Sequence, residues 1–193
     1  MTNWINYILL FLVAAALVVF FISDSRRWTT FAFAGLTAFV FAINLQFWSL
    51  GFALSKLVTY LMALLILNLV RTGSGESIFS ESRSGTLFKL AVLVFGFLFI
   101  IILGQGITGF LAMDLEQVIA ALFLIYTGLM QLGISKQYYR AILGIFAFFM
   151  GFEVIYGSIE QSLLINGMLA AIILSIAMIG AYIQIATKGD DLR

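Results

Sequence analysis

Two side chains can do chemistry because of where they lie: Lys56, in the stretch WSLGFALSKLVTYLM, and Glu153, in GIFAFFMGFEVIYGS. Both interrupt long apolar runs. On insertion scales a central charge in a bilayer costs about 2.5–3.5 kcal/mol, so an ionisable group kept there marks an ion pathway, a proton relay or a compensated pair. The two are opposite in sign, so each can supply the partner the other needs. Tyr60 follows Lys56 by four residues and Thr59 by three, which puts all three on one helix face. Asn166 stands near the start of a later apolar stretch and extends this polar set. Ser55, Asn68, Tyr126, Gln131 and Ser175 are further polar groups in apolar surroundings, where Ser, Thr and Asn commonly act as interhelical glue. Plain alternatives exist for the two charges. Lys56 can snorkel outward along its four-carbon stem, and Glu153 can hydrogen-bond to Tyr156 or Ser158.

The elements that must position these groups follow from composition. The chain has 193 residues, 63% hydrophobic and 10% charged, and contains no His, Cys or Pro. Mean hydropathy is +1.15. A soluble domain runs nearer half apolar and about a quarter charged, so an integral membrane protein is expected. The absence of Cys and His removes disulfides, iron–sulfur clusters, the usual zinc sites and the Ser-His-Asp triad. Nine dispersed acidic residues suggest no oxygen-ligand metal site. The net charge of +1 offers no basic tract for nucleic acid. The expectation is therefore no cofactor, no nucleic-acid partner and no enzymatic site.

A bilayer core needs about 20 apolar residues per helix. Seven stretches meet this measure: Ile5 to Ile22, Trp28 to Leu45, Leu50 to Val70, Leu87 to Gly106, Leu115 to Ile134, Tyr138 to Gly157 and Leu163 to Thr187. The first has no basic residues before it, so it reads as an anchor and not a cleaved signal. The fold class is an all-α bundle of about seven transmembrane helices. Residues 1–70 form a three-helix part, 71–86 a Ser/Gly-rich loop (RTGSGESIFSESRSGT) and 87–193 a four-helix part. That loop reads as a flexible tether.

Alternating the seven crossings sorts the charges. Arg26, Arg27, Arg71, Arg83, Lys89, Lys136, Arg140, Lys188 and Arg193 all fall on one side, and Lys56 alone lies inside a helix. The positive-inside rule makes that side cytoplasmic, with the amino terminus outside and the carboxyl terminus inside. At 1.5 Å per residue Lys56 then lies about 10 Å below the outer surface and Glu153 about 6–10 Å below it. Both fall in one half of the bilayer, which makes them candidates for an ion pair.

Trp4, Tyr7, Trp28, Trp48, Tyr138 and Tyr139 fall at helix ends and read as an interfacial aromatic belt. Ala147 with Gly151, Gly167 with Ala171, and Ala177 with Ala181 are small-xxx-small pairs expected to pack closely. Glu153 is about 200° around its helix from Gly151, so it faces a different neighbour. The lack of proline points to continuous helices.

The last three stretches resemble subunit K of respiratory complex I and the C subunit of Mrp-type sodium/proton antiporters. The matching residues are Lys136 and Arg140 in a basic turn, Gly151-Phe152-Glu153, and the small-residue-rich Gly167 to Tyr182 with Lys188 behind it. Trp48-Ser49 followed by Lys56 is similar to a segment of the E subunit of hydrogenase-4-type complexes. The resemblance implies a membrane-arm subunit beside proton- or cation-translocating partners, with Glu153 as a pathway carboxylate. Two features depart from it. No carboxylate lies between Leu163 and Thr187, and Glu153 sits about one turn further from the basic turn.

The expected function is a non-catalytic subunit of an energy-converting, proton- or cation-translocating complex in a prokaryotic cytoplasmic membrane, with other integral membrane subunits and the lipid bilayer as partners. An assembly or accessory scaffold protein and a stand-alone small-solute or ion transporter are the competing readings.

Because the chain lacks Cys, the topology is directly testable. Ser74→Cys is expected to react with a membrane-impermeant maleimide only from the cytoplasmic side and Ser158→Cys only from outside. The reverse pattern overturns the orientation.

Overall fold

A computed structural model describes residues 2–23, 25–46, 48–70, 83–110, 113–135, 137–160 and 162–190. Among them the structure is seven helices and no strand: α1 (Thr2–Ile22), α2 (Arg26–Asn44), α3 (Leu50–Leu69), α4 (Arg83–Ile107), α5 (Leu115–Ile134), α6 (Tyr138–Ile159) and α7 (Leu163–Asp190). Each matches one apolar stretch of the sequence. Arg83 to Thr86, expected in the loop, form the first turn of α4, and the rest of that loop (71–82) lies outside the described residues. Lys136, Arg71 and Arg193 lie outside them too.

Five helices, α3 to α7, are long and apolar enough to cross a membrane. This is a helical membrane protein. Among the described residues α1 also carries an apolar helix, Asn6–Ile22. α2 falls below the measure because two arginines open it and three threonines interrupt it. Thr29, Thr30 and Thr37 each turn the hydroxyl back onto the carbonyl four residues earlier, at 3.0, 2.7 and 2.8 Å. Those hydroxyls are thereby satisfied inside the bundle.

α5 and α6 form the most intimate pair. The cause is a seam of small residues. A Cβ on Gly128 would lie 2.5 Å from Phe148 N, and one on Gly144 2.8 Å from Gly128 O. One on Gly151 would strike Ala121 O. Backbones this close gain dispersion contacts without burying polar groups. Ala177 and Ala181 are buried in the same manner on α7. Gly167 and Ala171 are not: a Cβ on Gly167 would meet nothing within 4 Å, and Ala171 is exposed. That pair opens onto space instead of a packing partner.

Helix ends set the up-down order. At one end Asn6 Nδ2 donates to Asp114 Oδ2 at 2.7 Å, Gln46 Nε2 donates to Asn6 Oδ1 at 2.8 Å, and Gln117 Nε2 donates to Gln46 Oε1. These bonds join the start of α1, the end of α2 and the start of α5, where Asp114 and Gln117 form a capping box. At the other end Arg26 donates to Leu67 O (2.9 Å) and Val70 O (3.3 Å), closing the carboxyl end of α3. Arg140 donates to Phe21 O at 3.1 Å and closes that of α1. Carbonyls at a helix end lack intrahelical donors and carry partial negative charge, so a guanidinium satisfies both demands. Arg26, Arg27, Lys89 and Arg140 thus gather at one end, though Lys89 and Arg140 are buried and not solvent-facing.

The aromatic belt divides. Trp4, Tyr7, Trp28 and Tyr138 are exposed as expected, whereas Trp48 and Tyr139 are buried. Tyr139 bonds Thr30 Oγ1 at 2.6 Å and lies under the Arg26 guanidinium. Trp48 lies against Gly157 of α6, where a Cβ would collide with its indole nitrogen. In both cases a tertiary partner, invisible in the local sequence, takes the ring from the interface.

Two substitutions in α5 test the seam. Gly128→Val is expected to destabilise by about 1–3 kcal/mol through overpacking. Gly133→Ala, with nothing within 4 Å, is expected to be neutral or stabilising by up to about 1 kcal/mol. Thermal unfolding in detergent monitored by circular dichroism reads both; equal effects would refute the packing.

Candidate functional site

The buried face of α3 follows the helical period: Ala53, Lys56, Tyr60, Ala63, Leu64 and Leu67. On α6 the residues Phe146, Glu153 and Gly157 recur at helical spacing on a face away from the α5 seam. The two faces run antiparallel and meet at three levels. The ring of Tyr60 stands edge-on to Phe146 with centroids 6.4 Å apart. Lys56 Nζ lies 3.6 Å from Glu153 Oε2. Trp48, just before α3, covers Gly157. The backbones of α3 and α6 are not in close contact, so only long side chains span the gap.

A cavity of about 220 Å³ remains between α3, α6 and α7. Lys56, Thr59, Tyr60, Glu153 and Asn166, the five residues singled out in the sequence, all line it. Ser55, Leu163, Gly167, Ala170 and Ile173 complete the wall. Lys56 and Glu153 side chains are 7% and 4% exposed, so the pair lies at the closed end, while Ser55, Leu163 and Gly167 at the rim are exposed. From Leu163, the first residue of α7, to Ile173 the cavity follows the helix for about 15 Å.

The pair is held from several sides. Lys56 Nζ lies 4.7 Å above the Trp48 ring, an attractive cation–π placement. Tyr60, also buried, turns its hydroxyl toward the Glu153 carboxylate. Tyr60 is in turn fixed by the aromatic run Phe20–Phe33–Phe146, which crosses from α1 through α2 to α6. Lys56 therefore does not snorkel. Glu153 does not use Ser158, whose hydroxyl donates to Ile155 O at 2.7 Å, nor Tyr156, which stacks on Phe152. Of the other polar groups, Tyr126 ties α5 to α4 by donating to Val92 O at 2.8 Å, and Ser175 bonds within its own helix.

Sequence reasoning missed the part played by Trp48 and Gly157. The signal was present as an aromatic residue eight positions before Lys56 and a glycine four after Glu153, but only the antiparallel register links them. Among the described residues no cluster of three or more His, Cys, Asp or Glu side chains could hold a metal ion. No family model, curated protein or solved structure matches this chain.

Chemically, the arrangement is a charge-balanced carboxylate and ammonium, with a tyrosine hydroxyl beside them, in the wall of a mostly apolar cavity. Removing one member strands the other: Glu153→Gln is expected to cost about 3–5 kcal/mol, whereas Lys56→Met with Glu153→Gln returns near wild-type stability. Unfolding midpoints in detergent measure both. Equal stability of the single and double variants contradicts an energetically coupled pair.

Proposed function

We infer that this chain is a non-catalytic membrane subunit of a proton- or cation-translocating complex, with Lys56 and Glu153 as its ionisable element. The observation that carries this reading is the opposed pair, buried in the wall of a cavity within apolar helices. Ionisable groups at such depth are expensive and are kept where charge must be handled. The resemblance of the Gly151-Phe152-Glu153 segment to membrane-arm subunits supports the same class.

In this reading all seven helices cross a prokaryotic cytoplasmic membrane, with the amino terminus outside. Support comes from the up-down order and from the arginine-capped end, which carries the basic residues. The cavity then faces the outer side. Helices α4 and α7 bury less than a third of their spans, leaving broad apolar faces for lipid or neighbouring subunits.

A second reading is a stand-alone carrier built around the same cavity. Mild-detergent extraction from the native membrane separates the two. Co-migrating antiporter-like or hydrogenase-like subunits are expected. A solitary band, with cation or solute flux by the purified protein in vesicles, would establish the carrier instead.

A further inference from the structure

We propose that the cavity between α3, α6 and α7 holds the upper part of one acyl chain of a bilayer lipid, with its ester carbonyl at the amide of Asn166. The site does not depend on the protein being a subunit of a larger assembly.

The first support is Asn166. It is 9% exposed, lines the cavity and makes no side-chain hydrogen bond with any described residue. A buried amide without a partner is costly, so a ligand that bonds it is stabilised there. The other polar groups of the wall are answered within the protein. Lys56 pairs with Glu153, and Tyr60 turns its hydroxyl toward that carboxylate. Ser55 donates to Phe52 O and Thr59 to Ser55 O, both at 2.8 Å. Because the pair is charge-balanced, a charged ligand would leave one charge uncompensated, whereas an ester brings none. Its carbonyl accepts from the Asn166 amide NH₂.

The second support is what meets the opening. α3, α6 and α7 are each long and apolar enough to cross a membrane. Beside the exposed rim at Ser55, Leu163 and Gly167 stand Leu54, Val58, Leu164 and Met168, all exposed. In a bilayer such side chains face hydrocarbon. The cavity wall is itself mostly apolar, and apolar cavities exclude water yet take apolar molecules.

Depth and size agree. The apolar span of α7, Leu163–Ala186, has 24 residues, about 36 Å, against a hydrocarbon core of about 30 Å. Asn166, three residues in, therefore lies near the edge of the core, where acyl chains meet their ester groups. From there the cavity continues past Gly167 and Ala170 to Ile173, about 10 Å further along the helix. An apolar cavity of about 150 Å³ takes benzene, so about 220 Å³ takes the first several methylenes of a chain. The rest leaves by the rim, where an added Cβ on Gly167 would meet no atom within 4 Å. A chain seated there covers the Lys56–Glu153 pair and keeps water from it.

The test uses Trp48 as reporter, since it lies beside Lys56 and is 5% exposed. Trp4 and Trp28, the other two tryptophans, are exposed and are replaced by Phe. The full-length Trp48-only protein is reconstituted in phosphatidylcholine brominated on the upper methylenes of its chains, and its fluorescence is compared with that in the unbrominated lipid. Quenching is expected. Ala170→Phe and Gly167→Phe, which put a ring in the cavity or at its rim, are expected to reduce it about twofold or more with an unchanged circular dichroism spectrum. Diluting the brominated diester with unbrominated diester or diether lipid of the same headgroup measures preference. The Trp48-only protein is expected to favour ester over ether about threefold, the scale of one net hydrogen bond, and Asn166→Leu to show no preference. This competition reads the site even where neither ring variant folds. Absence of quenching, quenching that both ring variants leave unchanged, equal affinity for ester and ether lipid, or a preference that survives in Asn166→Leu overturns the proposal.

Discussion

A lysine and a glutamate inside an apolar bundle can be tolerated only if each neutralises the other, and much of the surrounding structure follows from that demand. The carboxylate must face α3, so the close approach of α6 to α5 uses another face, with Gly144 and Gly151 set against Gly128 and Ala121. The ammonium must be kept from snorkelling, which Trp48 does by lying beneath it. Trp48 can reach that place only because position 157 is glycine. Where the long side chains bridge α3 and α6, their backbones stand apart, and the cavity is the space this leaves.

The second constraint is the unsatisfied backbone at helix ends. Arginines meet it at one end, with Arg26 closing α3 and Arg140 closing α1. At the other end the Asp114–Gln117 capping box meets it for α5, and side-chain bonds through Asn6, Gln46, Asp114 and Gln117 tie α1, α2 and α5 together. The guanidiniums that sort to one side of the chain are therefore structural as well as topological. Their bonds to the ends of neighbouring helices lock the helices in register relative to the ion pair, which sits toward the opposite end.

Helix positions were legible in the sequence because lipid imposes a length and a composition that leave few alternatives. Lys56 and Glu153 were legible for the same reason: a charge in an apolar run is conspicuous, and depth alone placed the two at one level. Thr59 and Tyr60 followed from helical spacing, and Asn166 from its place near the start of the last apolar stretch. What could not be read were contacts set by the three-dimensional register. Trp48 and Tyr139 carry the same local signature as Trp28 and Tyr138, yet the first two are buried by Gly157 and by Arg26 with Thr30. Gly167 with Ala171 has the same spacing as Ala177 with Ala181, but only the latter pair meets a neighbour. A small-residue motif permits close packing; it does not supply the partner.

The account depends on Lys56 and Glu153 being in contact within the bilayer. Solid-state NMR on the protein in lipid, labelled at lysine Nζ and glutamate Cδ, measures this through nitrogen–carbon dipolar dephasing. The contact of 3.6 Å between Nζ and Oε2 predicts clear dephasing of the Glu153 signal that disappears in Lys56→Met. No dephasing of Glu153, or dephasing that persists without Lys56, would contradict it.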